Sequence, residues 1–204
     1  KASKSKANAK LSEKINNASR IARNTNENTP VKGISIFDFD ETVGVSENFI
    51  FATKDGKTQK IPSYEWPFVG EQLAMEGYTF DFTDFNRVTK GKPGPLMQKL
   101  KNQIVKYGAK NVFILTARAP ESQKAIFDWL KIQGVNLPYK NITGLGNSTG
   151  EAKAMWILDK YEQGYNDIYF VDDAVPNVQA VKNVLDQLDV KGKSVQAKIQ
   201  FSKT

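Results

Sequence analysis

Beyond residue 30 the chain alternates between short apolar runs and longer segments with apolar positions every three or four residues. The short runs predict buried strands and the longer segments predict amphipathic helices. Strands are predicted at 34–39, 111–115, 142–144 and 167–171, and helices at 96–107, 122–133, 150–161 and 176–188. Residues 194–201 alternate apolar and polar side chains, which is typical of a half-exposed edge strand. Strands that alternate with helices predict βαβ units and a mostly parallel sheet.

The stretch between the first two predicted strands follows a different pattern. Segments 48–53 and 58–62 are β-like, and Asp55-Gly56 between them is a strong hairpin signal. Residues 64–90 are rich in aromatic side chains but show no clear period. They form either a small cap over a site or a layer that packs against the core.

Composition excludes several kinds of chemistry. The chain has no cysteine and no histidine, so disulfides, zinc sites with thiolate or imidazole ligands, and Ser-His-Asp or Cys-His machinery are excluded. A bound metal must sit among oxygen atoms, which favours magnesium, calcium or manganese. No apolar run is long enough to span a membrane and no signal-peptide core is present, so we expect a soluble protein and predict no specific location.

The positive charge is concentrated near the N-terminus. Residues 1–32 carry eight Lys and Arg against two Glu, whereas the rest of the chain carries 21 basic and 20 acidic residues. We expect residues 1–29 to form a weakly ordered arm, with Leu11, Ile15 and Ala18 on one short helical face. Such an arm could bind nucleic acid through phosphates, with a solvated tail or linker as the favoured alternative. Because the chain begins at Lys1 and not at a methionine, we expect either a processed piece of a longer protein or a trimmed chain.

Polar side chains follow three of the predicted strands where each strand ends. Asp38 follows the first strand, Thr116 the second, and Asp172 and Asp173 the third. Because the carboxyl ends of parallel strands meet at one edge of a sheet, we expect these side chains to lie together. Carboxylates brought together repel one another and lose hydration unless a cation joins them. Magnesium, which takes oxygen ligands, meets that need.

This arrangement suggests a division of chemical roles. Asp38 stands directly at a strand end, where it can be a nucleophile or a metal ligand. Asp40 points the same way if extended geometry persists, and could then protonate a leaving oxygen. Thr116 offers a hydroxyl to a phosphoryl oxygen, and Lys153, near a helix start, would neutralise the transferred group. Phosphoryl transfer depends on positioning and charge neutralisation, and it needs no histidine.

Four motifs resemble those of the haloacid-dehalogenase-like (HAD) hydrolases, in that family's order. Asp38-Phe39-Asp40-Glu41-Thr42 resembles the DxDxT motif, and Leu115-Thr116-Ala117-Arg118 resembles the second motif. Lys153 matches the third-motif lysine, and Val171-Asp172-Asp173 resembles the acidic fourth motif. The resemblance covers residues 33–201. It implies an α/β, Rossmann-like three-layer fold with a parallel sheet and helices on both faces. In this fold, a flap hairpin and a small cap or insertion come after the first strand.

The same resemblance implies magnesium-dependent hydrolysis of a phosphomonoester. Asp38 would attack phosphorus to form an aspartyl-phosphate, and Asp40 would protonate the leaving group and then activate water. The metal would be held by the Asp38 carboxylate, the Asp40 carbonyl and Asp173, with Asp172 supporting it. A second Asp in the first motif, here Asp40, is typical of phosphatases rather than of dehalogenases or phosphonatases.

Three further positions complete the predicted site. Thr42 is interpreted as a substrate-binding residue. Arg118 is interpreted either as a substrate-side charge or as a salt-bridge partner. Asn177 stands where many members of the family carry another Asp, which could weaken a water-mediated metal contact.

The sequence therefore predicts an arm over 1–29 and a phosphatase domain over 30–204, with the flap and cap at about 43–95. Its substrate would be a phosphorylated small molecule or a nucleotide. Two alternatives remain open: a polynucleotide end phosphatase that uses the basic arm, and a structural or interaction domain released from a larger protein, either a viral or another processed one. No membrane partner is expected, and no oligomeric state is predicted.

Overall fold

A computed structural model describes residues 2–192 and 196–202 of the chain. The helices are α1 (Ala2–Arg23), α2 (Trp66–Met75), α3 (Met97–Tyr107), α4 (Gln123–Ile132), α5 (Gly150–Glu162) and α6 (Val175–Gly192). The strands are β1 (Gly33–Phe37), β2 (Gly44–Val45), β3 (Phe49–Lys54), β4 (Lys57–Pro62), β5 (Thr79–Asp81), β6 (Lys92–Pro93), β7 (Val112–Thr116), β8 (Ile142–Gly144), β9 (Asp167–Asp172) and β10 (Gln196–Phe201).

The central sheet has five strands in the order β10-β9-β1-β7-β8, and all its pairings are parallel. Strand β1 lies in the middle, where Ile36 pairs with Phe113 on one side and Phe170 on the other. The predicted strands of this sheet are confirmed, with β10 as the edge strand. Positions 194 and 195 of the β10 prediction lie outside the described residues.

Helices cover both faces of this sheet, which gives three layers. Successive strand residues point to opposite faces, so Ile34 and Ile36 of β1 pack into one core and Phe37 packs into the other. The first core also contains buried side chains of α1, α5 and α6, and the second contains those of α3 and α4. The structure is therefore an α/β fold compatible with a Rossmann-like arrangement. No helix among the described residues combines the length and apolar character that a bilayer requires.

Residues 2–23 differ from the weakly ordered arm that the sequence predicted, because they form helix α1. The helix packs against α5 and α6, where Ala18 and Ala22 are fully buried. Leu11 and Ile15 extend the same face, and Lys14 forms an ion pair with Asp159 of α5. Alanine favours helix and lets the backbones approach closely, so this face packs well despite containing few large apolar residues.

The insertion, which we define as residues 43–95, contains the predicted hairpin. Strands β3 and β4 pair antiparallel around Asp55-Gly56, whose φ values of 52° and 75° match a type I′ turn. Strand β5 adds to the other side of β3, and α2 packs against this small sheet. Periodicity failed to predict α2, which begins with Trp66-Pro67 and carries Gly70 in its centre. The insertion thus has a small apolar core of its own.

Candidate active site

The site lies at the carboxyl edge of the central sheet. Asp38 follows β1, Thr116 ends β7 and Asp172 ends β9. The Asp38 amide continues the parallel ladder by donating to the Val171 carbonyl at 3.0 Å. Because β1 is central and pairs with both β7 and β9, these side chains meet at one edge, as the sequence predicted.

The chain turns sharply directly after Asp38. The Phe39 carbonyl accepts hydrogen bonds from the amides of Thr42, Val43 and Gly44, and Glu41 has a φ of 63°. A positive φ is unusual for a residue with a Cβ and marks a backbone held in place by its surroundings. Strand β1 ends at Phe37, and Asp40 lies in the turn that follows, where it forms an isolated parallel bridge with Gly44.

Lys153 joins two of the carboxylates. Its side chain is 1 % exposed, and its ammonium group donates to Asp38 Oδ1 at 2.8 Å and to Asp172 Oδ2 at 2.6 Å. It reaches this position because α5 begins at the same edge, with Thr149 capping the helix through the Ala152 amide. Burial works against the charged form, but attraction by Asp172 and Asp38 outweighs it and raises the pKa of Lys153 above its ordinary value.

Three carboxylates form a cluster around this lysine. Oxygen atoms of Asp38, Asp172 and Asp173 lie within 4.8 Å of one another. Burial, followed by repulsion from Asp172, raises the pKa of Asp38 to about 6. Burial and the nearby Asp38 carboxylate also raise the pKa of Asp173 well above its ordinary value. Since the cluster offers only oxygen ligands and an excess of negative charge, its chemistry fits a hard divalent cation such as magnesium.

The two neighbouring aspartates of the fourth motif have different surroundings. Asp172 is fully buried and accepts hydrogen bonds from the Ala174 amide at 2.9 Å and from Asn177 Nδ2 at 3.1 Å, in addition to Lys153. Asp173 is half-buried, and its carboxyl group faces Asp38. Asn177 therefore supplies a donor to Asp172 where a further Asp would add another negative charge. The geometry leaves Asp173 the freer of the pair to bind an ion.

Asp40 and Arg118 form an ion pair beside this cluster. Arg118 donates from Nε to Asp40 Oδ2 at 2.9 Å and from Nη2 to Asp40 Oδ1 at 2.7 Å. The Arg118 side chain is only 2 % exposed, whereas that of Asp40 is 21 % exposed. Of the two interpretations that the sequence left open for Arg118, the structure therefore contains the salt bridge.

The two predicted threonines are buried and bonded to other site residues. Thr42 is fully buried and donates from Oγ1 to Asp38 Oδ2 at 3.1 Å, so its hydroxyl orients the predicted nucleophile. Thr116 is 1 % exposed, and its Oγ1 accepts from the Arg118 amide at 3.1 Å. That bond leaves the Thr116 hydroxyl proton available for a further acceptor.

Glu41 also belongs to this region, although its sequence pattern did not single it out. Glu41 is 6 % exposed, and its carboxylate accepts from Ser63 Oγ, beyond the hairpin, at 2.6 Å. Its carbonyl accepts from Ser202 Oγ at 3.1 Å, and burial raises the pKa of its carboxyl group. The only sequence signal was its place inside the DxDxT-like motif, because its partners lie far away along the chain.

Comparisons of the chain with protein-family models, with curated proteins and with solved structures found no match. The HAD-like resemblance of the four motifs therefore stays a prediction. Function has to be argued from the geometry of the site.

Proposed function

We propose that this protein is a magnesium-dependent phosphomonoester hydrolase of the HAD-like type. The observation that carries the proposal is the buried Lys153, which bonds to Asp38 and Asp172 beside Asp173 at the carboxyl edge of a parallel sheet. Ligand sites of open α/β sheets lie at this edge. The four predicted motifs supply these residues in family order.

Stability alone is a poor explanation for this cluster. Burying ionised groups costs several kcal/mol each unless their partners compensate fully. Three carboxylates against one ammonium leave an excess of negative charge, and burial, together with repulsion among the carboxylates, raises the pKa of Asp38 and Asp173. A bound cation removes that penalty, so the cluster is better suited to binding than to holding the fold together.

The residues of the chain supply a complete set of roles for hydrolysis. Asp38 is held through both carboxylate oxygens, by Lys153 and Thr42, and is thereby oriented for attack on phosphorus. The new Asp38–phosphorus bond forms as the ester P–O bond breaks, and Asp40 gives its proton to the departing oxygen. Asp40 then takes a proton from the water that releases inorganic phosphate from Asp38.

Charge neutralisation is the other requirement of phosphoryl transfer. Lys153 and the Thr116 hydroxyl lie where they can balance the charge of phosphoryl oxygens. Asp38 and Asp173, with the Asp40 carbonyl, would hold the magnesium ion, while Asp172 holds Lys153 in place. When bound, magnesium supplies Lewis-acid stabilisation of the phosphoryl group.

The insertion fits the proposed flap and small cap. Its contacts with the motif region include the Ser63–Glu41 bond and the Phe85 and Arg87 carbonyls, which accept from Arg118. Gly94, near its end, lies so close to this loop that a Cβ atom there would come within 2.6 Å of the Thr42 carbonyl oxygen. These contacts support the proposal that the insertion selects the leaving group of the substrate.

A phosphoester panel with magnesium tests this proposal directly. We expect the wild-type protein to hydrolyse p-nitrophenyl phosphate or another member of the panel, and to stop when EDTA removes the metal. Asp38→Asn should lower kcat by at least about 10³-fold because it removes the nucleophile. Asp128→Asn, which breaks an exposed ion pair on α4, is the matched control and should leave kcat unchanged. No turnover by the folded wild-type protein on any member would contradict the proposal.

A further inference from the structure

The surroundings of Arg118 account for its whole hydrogen-bonding capacity. A guanidinium group has five N–H donors and no acceptor. Two of them bond to Asp40, one to Ser46 Oγ at 3.1 Å, and two to the carbonyls of Phe85 and Arg87 at 3.0 and 2.8 Å. No donor is left for a substrate phosphate, so the interpretation of Arg118 as a substrate-side charge does not fit this geometry.

Packing fixes the plane of the same group. The guanidinium carbon lies 5.1 Å from the centre of the Phe39 ring and 4.7 Å from that of Phe85. The guanidinium group of Arg118 is therefore held between two aromatic rings while two of its N–H groups donate to the Asp40 carboxylate. This combination favours arginine over lysine, since lysine offers neither the fork nor the flat face.

We infer that Arg118 is a positioning residue for Asp40, fixing the carboxyl group that exchanges a proton with the leaving oxygen. The inference rests on the proposed function. Arg118 is itself held by carbonyls of the insertion, so the docking of the insertion is linked to the orientation of Asp40. When Asp40 gives its proton to the leaving oxygen, the carboxylate that remains is the form that a bidentate guanidinium binds best.

The dependence of the rate on the leaving group provides a specific test. A nitrophenolate leaves readily without a proton, whereas an alkoxide needs one, so only the second substrate depends strongly on Asp40. For Arg118→Lys we expect kcat to fall at least about 100-fold on benzyl phosphate but less than about 10-fold on p-nitrophenyl phosphate. KM should stay within about threefold on both, because Arg118 does not contact the phosphate. Arg23→Lys on α1 is the matched control and should change neither rate.

A double-mutant cycle separates positioning from direct binding. If Arg118 acts through Asp40, then Asp40→Asn and Asp40→Asn/Arg118→Lys should have the same rate on benzyl phosphate within about twofold. A further loss in the double variant, or a rise in KM on both substrates, would mean that Arg118 contacts the substrate. Either result would overturn the inference.

The remaining outcomes are also decisive. If the wild-type protein hydrolyses both substrates but Arg118→Lys slows them equally, the positioning role is wrong and the proposed function stands. If the folded wild-type protein hydrolyses neither, both fail together. If Arg118→Lys does not fold, Ser46→Ala provides a milder test because it removes one hydrogen-bond partner of Arg118 Nη2. We expect its loss of kcat to be about two- to fivefold larger on benzyl phosphate than on p-nitrophenyl phosphate.

Discussion

At the scale of single residues, the site is dominated by opposing electrostatic effects on Asp38. Burial and the neighbouring Asp172 raise the pKa of its carboxyl group, while the charge of Lys153 and hydrogen bonds from Asp173 and Lys153 favour the charged form. The first pair of effects prevails, so in the absence of a cation the charged site destabilises the fold. The same imbalance supports the proposal that the cluster binds a divalent ion.

This imbalance predicts how stability depends on pH. The pKa of Asp38 rises from an ordinary value of 3.8 to about 6 on folding, so the folded state retains a proton that the unfolded chain releases. Stability without metal should therefore fall as the pH rises from about 4 to about 6, by about 1.4 kcal/mol for each unit of pKa difference. Urea unfolding in EDTA at pH 4.5 and 7.5, compared with Asp38→Asn, measures the contribution of Asp38 together with its interaction with Asp173.

The expected difference in stability between Asp38→Asn and the wild-type protein has a definite sign. At pH 7.5 in EDTA, Asp38→Asn should be more stable than the wild-type protein, and the difference should shrink toward pH 4.5. Magnesium at about 100 times its Kd should add about 2.7 kcal/mol to the wild-type protein and much less to the variant. A wild-type protein that is the more stable of the two at pH 7.5 without metal would contradict this explanation.

Residues of the site differed in how well the sequence predicted them. Asp38, Thr116, Asp172 and Asp173 could be placed together because each follows a strand and parallel strands end at one edge. The surroundings of Arg118 could not be predicted in this way, because they depend on carbonyls of Phe85 and Arg87 in the insertion. Backbone carbonyls leave no signature in residue type.

At the scale of elements, α1 is the clearest difference between expectation and structure. Its sequence is rich in Lys, Asn and Ser, so its mean hydropathy is typical of a solvated segment. The buried face is made of small residues, Ala18, Ser19 and Ala22, which contribute little to any hydrophobic count. Their small size allows α1 to pack closely against other helices, and this packing depends on the partner helices α5 and α6.

A buried charge in α1 tests whether that packing contributes to stability. Ala22→Asp should lower the free energy of unfolding by about 3 kcal/mol or more, because Ala22 is fully buried in the core shared with α5 and α6. Asn16→Asp adds the same charge at an exposed position of the same helix and should change stability by less than about 0.5 kcal/mol. Equal stability of the two variants in urea would mean that α1 does not pack as described.

The insertion shows the same division between local and distant information. The β3–β4 hairpin could be predicted because Asp55-Gly56 carries its own turn signal. Helix α2 could not, because Pro67 and Gly70 weaken its helical pattern. Gly70 leaves room for the Trp66 ring one turn earlier on the same helix, since a Cβ atom there would come within 2.9 Å of that ring, which itself packs against Phe80 and Phe82.

At the scale of the whole molecule, the formal charge of +7 is distributed unevenly. Most of it belongs to the first 32 residues, and the structure places much of that segment in α1. Deleting the segment would remove a core helix, so loss of function after deletion would not identify a nucleic-acid arm. Neutralising its exposed charges tests the same hypothesis while keeping the helix.

A variant with four exposed basic side chains of α1 replaced by Gln tests the nucleic-acid hypothesis. The replaced residues are Lys6, Lys10, Arg20 and Arg23, and their replacement lowers the net charge by four. Hydrolysis of a small phosphomonoester should be unchanged, because none of these side chains belongs to the site. If the polynucleotide end phosphatase alternative is correct, binding of a 3′-phosphorylated oligonucleotide should weaken, and its salt dependence should fall by up to about one charge per replaced residue. Unchanged binding and cleavage of that oligonucleotide would exclude α1 as a substrate arm.

The sequence by itself determined the alternation of strands and helices, and with it the parallel sheet and the edge where Asp38, Thr116 and Asp172 meet. It could do so because hydrophobic period and chain order are local properties that constrain sheet topology. Tertiary structure alone decided that α1 belongs to the core and that Arg118 forms a two-bond ion pair with Asp40. These outcomes depend on surfaces and carbonyl groups brought together from distant parts of the chain, which no local pattern records.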